Sequence, residues 1–423
     1  MHLKDVGKLI VGAVVVVGVG RLASKLLPRL DTEDVGADRV LSRASDSASE
    51  ISPRLAASPR GDVALAWMAL RGGKDGDVAS HIGVRTSADR GATWGDISRL
   101  VSPGGRLSAE PCVGFFHEAP LYAWIGFRRG PRGESFDAAV YSARDSEHVV
   151  RINAGADTGA AFYSQLASAS AAERTYLAFR RVEGGAAAIV LASSADGTSF
   201  ESQSLSDGGE APTVCASGDR VVVAWTDPSA GVTVAASENR GKSFTRFVAS
   251  TYREHLTREA PSCVLDDADV FVAYGSLDLA PASTPGVSPA DYVTVLRSHD
   301  GGKTTIERST VRPGSKMLHP TLSLRSSGVL ELGYLAGATD GDPRGHFGVA
   351  SVGVSGQTRP ARSLHVPVVF ATKRADMAWG GECLGLASTD RVTLAAVVDT
   401  VTQLSDAGVG VERHIVLVPV PEE

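Results

Sequence analysis

What this 423-residue chain has little of narrows its chemistry before any motif is read. Cysteine is scarce: Cys112, Cys215, Cys263 and Cys383 are the four, no two form a CxxC pair, and no histidine stands at metal-ligand spacing from them. A zinc site is therefore not written into the sequence. All four cysteines fall in apolar, strand-like runs and read as buried free thiols. The alternative is a disulfide, for which Cys215 and Cys263 are best placed because they occupy the corresponding strand of consecutive repeats. Excess positive charge is also missing. The formal net charge is −6 and the basic residues are scattered, which excludes nucleic-acid binding as a main role. No Walker, Rossmann or GxSxG motif occurs in suitable context. After Pro28 no stretch keeps a 3.6-residue apolar period for twelve residues, so long helices are not expected.

What is present points to strands and turns. Gly (46) and Pro (20) are spread along the chain, and 43% apolar residues suffice for a large core. At the N-terminus, Lys4 and Lys8 precede an apolar run over residues 9–20 that Arg21 interrupts. A membrane span needs about 20 apolar residues, whereas an export-signal core needs roughly 7–15. The run fits the second. Arg21, Lys25 and Arg29 after it, and the poor cleavage site at Gly18-Val19-Gly20, keep a membrane anchor as the alternative. Residues 1–30 are thus expected to be an export signal or anchor, with a linker to about residue 38. An extracytoplasmic location follows, with membrane contact through this segment alone.

From about residue 51 one pattern recurs: an acidic residue or His before a proline, a short apolar strand, a Gly or Asp turn, and a second strand often ending in an aromatic. Examples are AEPCVGFFHEAPLYAWIGF, EAPTVCASGDRVVVAW, EAPSCVLDDADVFVAY and HPTLSLRSSGVLELGY. A third strand (HIGVRTS, VTVAAS) and a weaker fourth follow in most units. Unit starts lie roughly 50–60 residues apart, which fits one four-stranded propeller blade with its loops. The last unit has only three strands, while an orphan strand-like segment, RVLSRAS over 39–45, precedes the first. Joining them closes a ring and removes a free edge. The expectation is an all-β protein in which residues 39–423 form one seven-bladed β-propeller. Six blades is the alternative, because the unit at Tyr163 lacks the proline.

One turn recurs within the units. Ser87, Asp89, Gly91 and Trp94 lie in SADRGATW; Asp196 lies in SADGTSF; Asn239, Gly241 and Phe244 lie in SENRGKSF; Asp300 and Gly302 lie in SHDGGKTT. These turns resemble Asp-boxes, the bacterial neuraminidase repeat of the sialidase-like propeller superfamily. The residues read as structural on their own account. An Asp or Asn side chain accepts backbone N–H groups in its own turn, Gly supplies positive φ, and the aromatic buries a face.

The resemblance implies an axial site with three arginines for a substrate carboxylate, an Asp acid and a Tyr–Glu nucleophile. Arg54, in ISPR, stands near the place of the first arginine. Asp75 and Asp77 fall where the acid is expected, and Glu210 resembles a blade-opening glutamate. Arg180 and Arg181 suit an arginine role but precede Glu210's unit, where Trp225-Thr226 stands instead. Tyr334 and Tyr252 are the tyrosines available for the nucleophile.

Repetition marks a second group. Glu50, Glu110, Glu210, Glu259, His319 and Glu382 stand just before the innermost strand of six units and are expected at equivalent positions near one mouth of the channel. They serve either as acceptors for backbone N–H groups or as an acidic ring for Ca²⁺ or a basic ligand group, with Arg54, Arg253 and Arg258 as compensating charges. Trp67, Trp124 and Trp225 read as core, and His255 and His346 as solvated loop residues. The functional expectation is an exported, monomeric, sialidase-like propeller that binds a ligand, foremost a glycan, at its axial face. An active exo-sialidase and a protein-docking scaffold are the alternatives.

Overall fold

Strand alternation in VALAWMAL sends its two faces to two different cores. Val63, Leu65, Trp67 and Ala69 enter one apolar cluster, while Ala64, Ala66 and Met68 enter another. The first cluster joins this sheet to the C-terminal sheet, and the second joins it to the next sheet along the chain. A sheet covered on both faces needs apolar residues at odd and even positions alike, and this is why the second strands read as nearly continuous apolar runs.

The computed structural model describes residues 41, 49–72, 78–129, 135–152, 161–171, 173–250, 255–257, 259–266, 269–278, 290–300, 306–312, 316–336, 344–352, 362–369, 384–405 and 408–420. These form seven antiparallel sheets arranged as blades, most with strands adjacent in chain order. The first strands are Ser49–Ala57, Leu107–Phe116, Phe162–Ala171, Glu210–Ser217, Ser262–Leu265, Met317–Leu324 and Gly385–Ser388. Each packs against the next, and Gly385–Ser388 returns to Ser49–Ala57, so the seven form a closed inner ring. The unit at Tyr163 supplies a complete four-stranded blade, which decides for seven over six. Blade 7 contributes three strands of its own, and Leu41, 3% exposed, donates its N–H to Ile415 O at 2.9 Å on their outer edge. The rest of 39–45, residues 1–38 and Cys383 lie outside the described residues.

The Ser-x-Asp turns link third to fourth strands at the rim. Asp89 Oδ1 accepts the Thr93 N–H at 2.7 Å, Oδ2 accepts the Thr93 hydroxyl at 2.6 Å, and Ser87 Oγ accepts the Gly91 N–H at 2.8 Å. Asn239 and Ser237 repeat this with Ser243 N–H and Gly241 N–H at 2.9 Å each. Asp196 accepts from Thr198 and Ser199, both at 2.7 Å. Asp300 accepts the Ser298 hydroxyl at 3.3 Å, while Gly302 lies outside the described residues. Trp94 and Phe244 pack, half-buried, on the adjoining cores. In blade 1 the turn also ties the ring together, because Arg90 grips Asp390 of blade 7 with Nε–Oδ1 2.6 Å and Nη2–Oδ2 3.0 Å.

These hydrogen bonds hold the Asp89 carboxyl at about 2, below its ordinary 3.8. The Thr93 hydroxyl is the largest cause. Its stabilising contribution is present above 3.8 and lost as pH falls through about 2. Asp89→Ala is expected to lower the unfolding temperature at pH 7, and Asp89→Asn, which copies Asn239, to restore most of the loss. Thermal unfolding of the three proteins checks this; equal losses for Ala and Asn would show that the side-chain acceptor is not what holds the turn.

Two histidines read as loop residues lie in strands instead. His255 belongs to the short strand His255–Leu256, where it is exposed, and His346 to Arg344–Val352.

Candidate functional site

The inner strands do not run straight to the axis. In five blades the ladder between first and second strands slips near the start of the first strand, a β-bulge. One non-glycine residue at each slip adopts positive φ: Ser52 (57°), Glu110 (50°), Gln165 (60°), Ala211 (54°) and His319 (54°). In four of the five, proline follows (Pro53, Pro111, Pro212, Pro320), a residue with no N–H to offer the interrupted ladder. Such a backbone costs on the order of 1–3 kcal/mol per residue and persists only where its surroundings enforce it.

The slip corrects the expected equivalence of the acidic positions. Glu110 and His319 are bulge residues, Glu210 stands one residue before its bulge residue Ala211, and Glu50 stands two before Ser52. Glu259 matches Glu210, since Ser262 pairs with Ala273 as Thr213 pairs with Ala224. The carboxyl groups therefore leave the backbone at three successive levels. Glu382 lies outside the described residues.

Their partners are in the next blade. Glu110 Oε2 accepts the N–H of Gln165, the bulge residue of blade 3, and that of Leu166 at 3.3 Å. Gln165 Oε1 in turn accepts the N–H of Ala211, the bulge residue of blade 4, at 2.7 Å. In blade 5, both Glu259 oxygens lie 3.1 Å from the N–H of His319, the bulge residue of blade 6. An acceptor side chain of one blade thus satisfies the backbone donor that the bulge frees in the next. Gln165 is the member that sequence reasoning missed. Its unit lacks the proline, and nothing else in the sequence marks a glutamine as equivalent to a glutamate here.

Burial governs the charge state of this belt. It pushes the Glu110 carboxyl up, and it pushes Glu259, whose side chain is 3% exposed, to about 8. His319, whose ring keeps 23% of its surface open, is held down to about 4 by desolvation and then by the Arg54 charge. The 3.7 Å approach of His319 Nδ1 to Glu259 Oε1 therefore joins two neutral groups at pH 7 rather than an ion pair. Glu50 is buried beside His414 of blade 7, with Oε2 to Nδ1 3.8 Å.

Arg54 stands two residues past the Ser52 bulge, half-buried. Its Nη1 donates to Pro53 O at 3.4 Å, and its charge acts on Glu110 and Cys112 in blade 2 and on His319 in blade 6. The other expected arginines are held by partners of their own, in blade 3 and the turn that follows it. Arg180 donates from Nε to Gly209 O at 3.2 Å, and Arg181 pairs with Glu183 at 2.6 Å. Arg181 lines a groove of about 440 Å³ together with Glu183, Ala188, Gln203 and Asp207, on the later strands of blade 3 and off the inner ring.

Tyr334 is overturned as a nucleophile. It is 1% exposed in the second strand of blade 6, its ring lies against Gly348, and burial pushes its hydroxyl up to about 12. Asp75, Asp77, Tyr252, Arg253 and Arg258 lie outside the described residues. Among the described residues, no group of three or more His, Cys, Asp or Glu is placed to hold a metal ion. Glu110 Oε2 and both Glu259 oxygens serve backbone N–H groups.

Solved structures share this architecture. A Hadza microbial sialidase (Hz136) superposes with a TM-score of 0.50 at 14% identity, over 71% of this chain and 65% of its own. The fold is sialidase-like. Trypanosoma rangeli sialidase in complex with sialic acid gives 0.46 at 11% identity, over 70% and 53% of the two chains. A protein of unknown function from Dyadobacter fermentans DSM 18053 gives 0.48 at 16%, over 89% and 96%. This chain thus spans 65% and 53% of the two sialidases. No family model and no curated protein matches it. On this sialidase-like frame, Arg54 and the pair Arg180 and Arg181 come from blades 1 and 3, which are not adjacent in the ring.

Proposed function

We propose that the protein is an extracytoplasmic sialidase-like propeller that binds a glycan at the axial mouth without cleaving it. The recurring Ser-x-Asp/Asn turns are its Asp-boxes. The observation that carries the reading is the closed seven-bladed, sialidase-like ring with Arg54 on the first strand of blade 1, where its guanidinium, which donates from Nη1 to Pro53 O at 3.4 Å, is the candidate contact for an acidic group on a sugar. Binding is favoured over hydrolysis because Tyr334, one of the two tyrosines considered for the nucleophile, is buried. The apolar run after Lys4 and Lys8 supports export.

On an array of acidic and neutral glycans, the full chain is expected to be retained by acidic members. Arg54→Ala should abolish retention and Asp89→Ala leave it intact. A fluorogenic sialoside assayed at about pH 5–7, the range in which a carboxyl acid and base work together, is expected to give no product. Turnover abolished by Arg54→Ala would replace this reading with an active exo-sialidase. Retention of neutral glycans alone would remove Arg54 from the site.

A further inference from the structure

Across the inner ring, two positions meet at several boundaries between blades: the fourth residue after one bulge position and the third after the next, the blade 5 position being counted from the match of Glu259 to Glu210. Ala56 and Val113 share one core at the first boundary, Ala169 and Val214 another, and Val264 and Leu322 a third. Between blades 4 and 5 the same positions hold Cys215 and Cys263, 9% and 7% exposed, in a single apolar cluster. Cys263 Sγ lies 3.9 Å from Val222 O, and Val222 is the ladder partner of Cys215. Both side chains pack in this one cluster with Val222, Ala224 and Val272 around them.

This boundary also lacks one of the ring's usual ties. Glu110 and Gln165 carry the cap from blade 2 to 3 and from 3 to 4, but the next position is Ala211, whose methyl group accepts nothing. The first strand of blade 5 is correspondingly short, Ser262–Leu265, with a separate two-residue strand, His255–Leu256, ahead of it.

We infer that Cys215 and Cys263 form an inter-blade disulfide when the protein folds in the presence of a disulfide donor. One thiol loses its proton and attacks the donor disulfide, expelling one donor thiol. The second, deprotonated in turn, attacks the mixed disulfide and expels the other donor thiol. Two cysteine thiols and one donor disulfide become one protein disulfide and two donor thiols. Bond formation brings the two sulfurs to about 2.05 Å. Burial raises the Cys215 thiol well above its ordinary range, so attack is slow in the closed ring and belongs to the stage before blades 4 and 5 dock. The bond would link residues 48 positions apart (263 − 215) and restrict the unfolded chain accordingly.

The test is refolding of the full chain in oxidised and reduced glutathione, followed by alkylation and peptide mapping without reductant. The expected result is one reducible peptide pair containing Cys215 and Cys263, with an unfolding temperature about 5 °C above that of the reduced form. Cys112→Ala should keep both signals, and Cys215→Ala or Cys263→Ala should lose both. Should those two variants fail to fold, the map of the unsubstituted protein still decides. Full alkylation of all four cysteines, or a bridge to Cys112 or Cys383, overturns the inference.

Discussion

Placing a side chain at Gly83 is expected to destabilise the protein strongly. Gly83 sits directly opposite Trp67 in the ladder, and the indole lies across it. A Cβ there would stand 2.3 Å from Trp67 Cε2 and 2.4 Å from Cζ2, well inside contact distance. Trp67 is 1% exposed between blades 1 and 7, so it cannot swing into solvent to make room. Overpacking a closed core costs about 1–3 kcal/mol and occasionally more, and this clash belongs at or above the top of that range for alanine. Valine should prevent folding. The measurement is a denaturant midpoint for Gly83→Ala, Trp67→Leu and the double variant. Trp67→Leu alone loses packing by about 2–4 kcal/mol, but it also removes the atoms that collide. The double variant should therefore be more stable than the sum of the two losses by about 1 kcal/mol or more. Simple additivity would mean that the two residues do not touch. Blade 6 offers a replicate, since a Cβ at Gly348 would lie 2.4 Å from Tyr334 Cε2 and the two residues are again ladder partners.

That pairing explains why much of the fold was legible and much of the site was not. Repeats such as VALAW, VVVAW and VFVAY announce strands because each side chain reports its own environment, and covering both faces demands apolar residues throughout. The rim turns were legible for the same reason: Ser87, Asp89 and Gly91 satisfy one another within five residues of chain. The axial belt depends instead on partners 46 to 60 residues away, Glu110 on Gln165, Gln165 on Ala211 and Glu259 on His319. Its geometry also turns on a single positive φ per strand, which shifts the levels at which Glu50, Glu110 and Glu210 leave the chain. Alignment by proline concealed that shift. It also concealed Gln165, which holds a bulge with no proline after it. Tyr334 was misjudged because an aromatic at the end of a strand looks the same in sequence whether it faces a channel or lies over a glycine.

The largest pH effect should come from Glu259. In the unfolded chain its carboxyl titrates near 4.5 and in the folded protein at about 8, so over that interval the folded state keeps a proton that the unfolded chain has released. Its contribution is fully present below 4.5 and is lost as pH rises through 8. His319 runs the other way, from 6.5 unfolded to about 4 folded, so its contribution is present above 6.5 and lost as pH falls through 4. Where both act, between about 4.5 and 6.5, the slopes cancel; above 6.5 only that of Glu259 remains of the pair, and Glu110, raised by burial as well, acts in the same direction. Stability should therefore hold level over the first range and fall from pH 6.5 to 8 by an amount on the order of 2 kcal/mol. Glu259→Gln keeps an oxygen for the His319 N–H and has no proton to lose, so its stability should fall less above pH 6.5. Glu259→Ala leaves that N–H without its acceptor and should cost about 1–3 kcal/mol at every pH. Unfolding free energies of the three proteins, taken in half-unit steps of pH, separate the two roles, since the slope belongs to the carboxyl proton and the offset to the acceptor. A wild-type curve as level as that of Glu259→Gln would mean that this carboxyl titrates as it does in water, with the joint between blades 5 and 6 open to solvent.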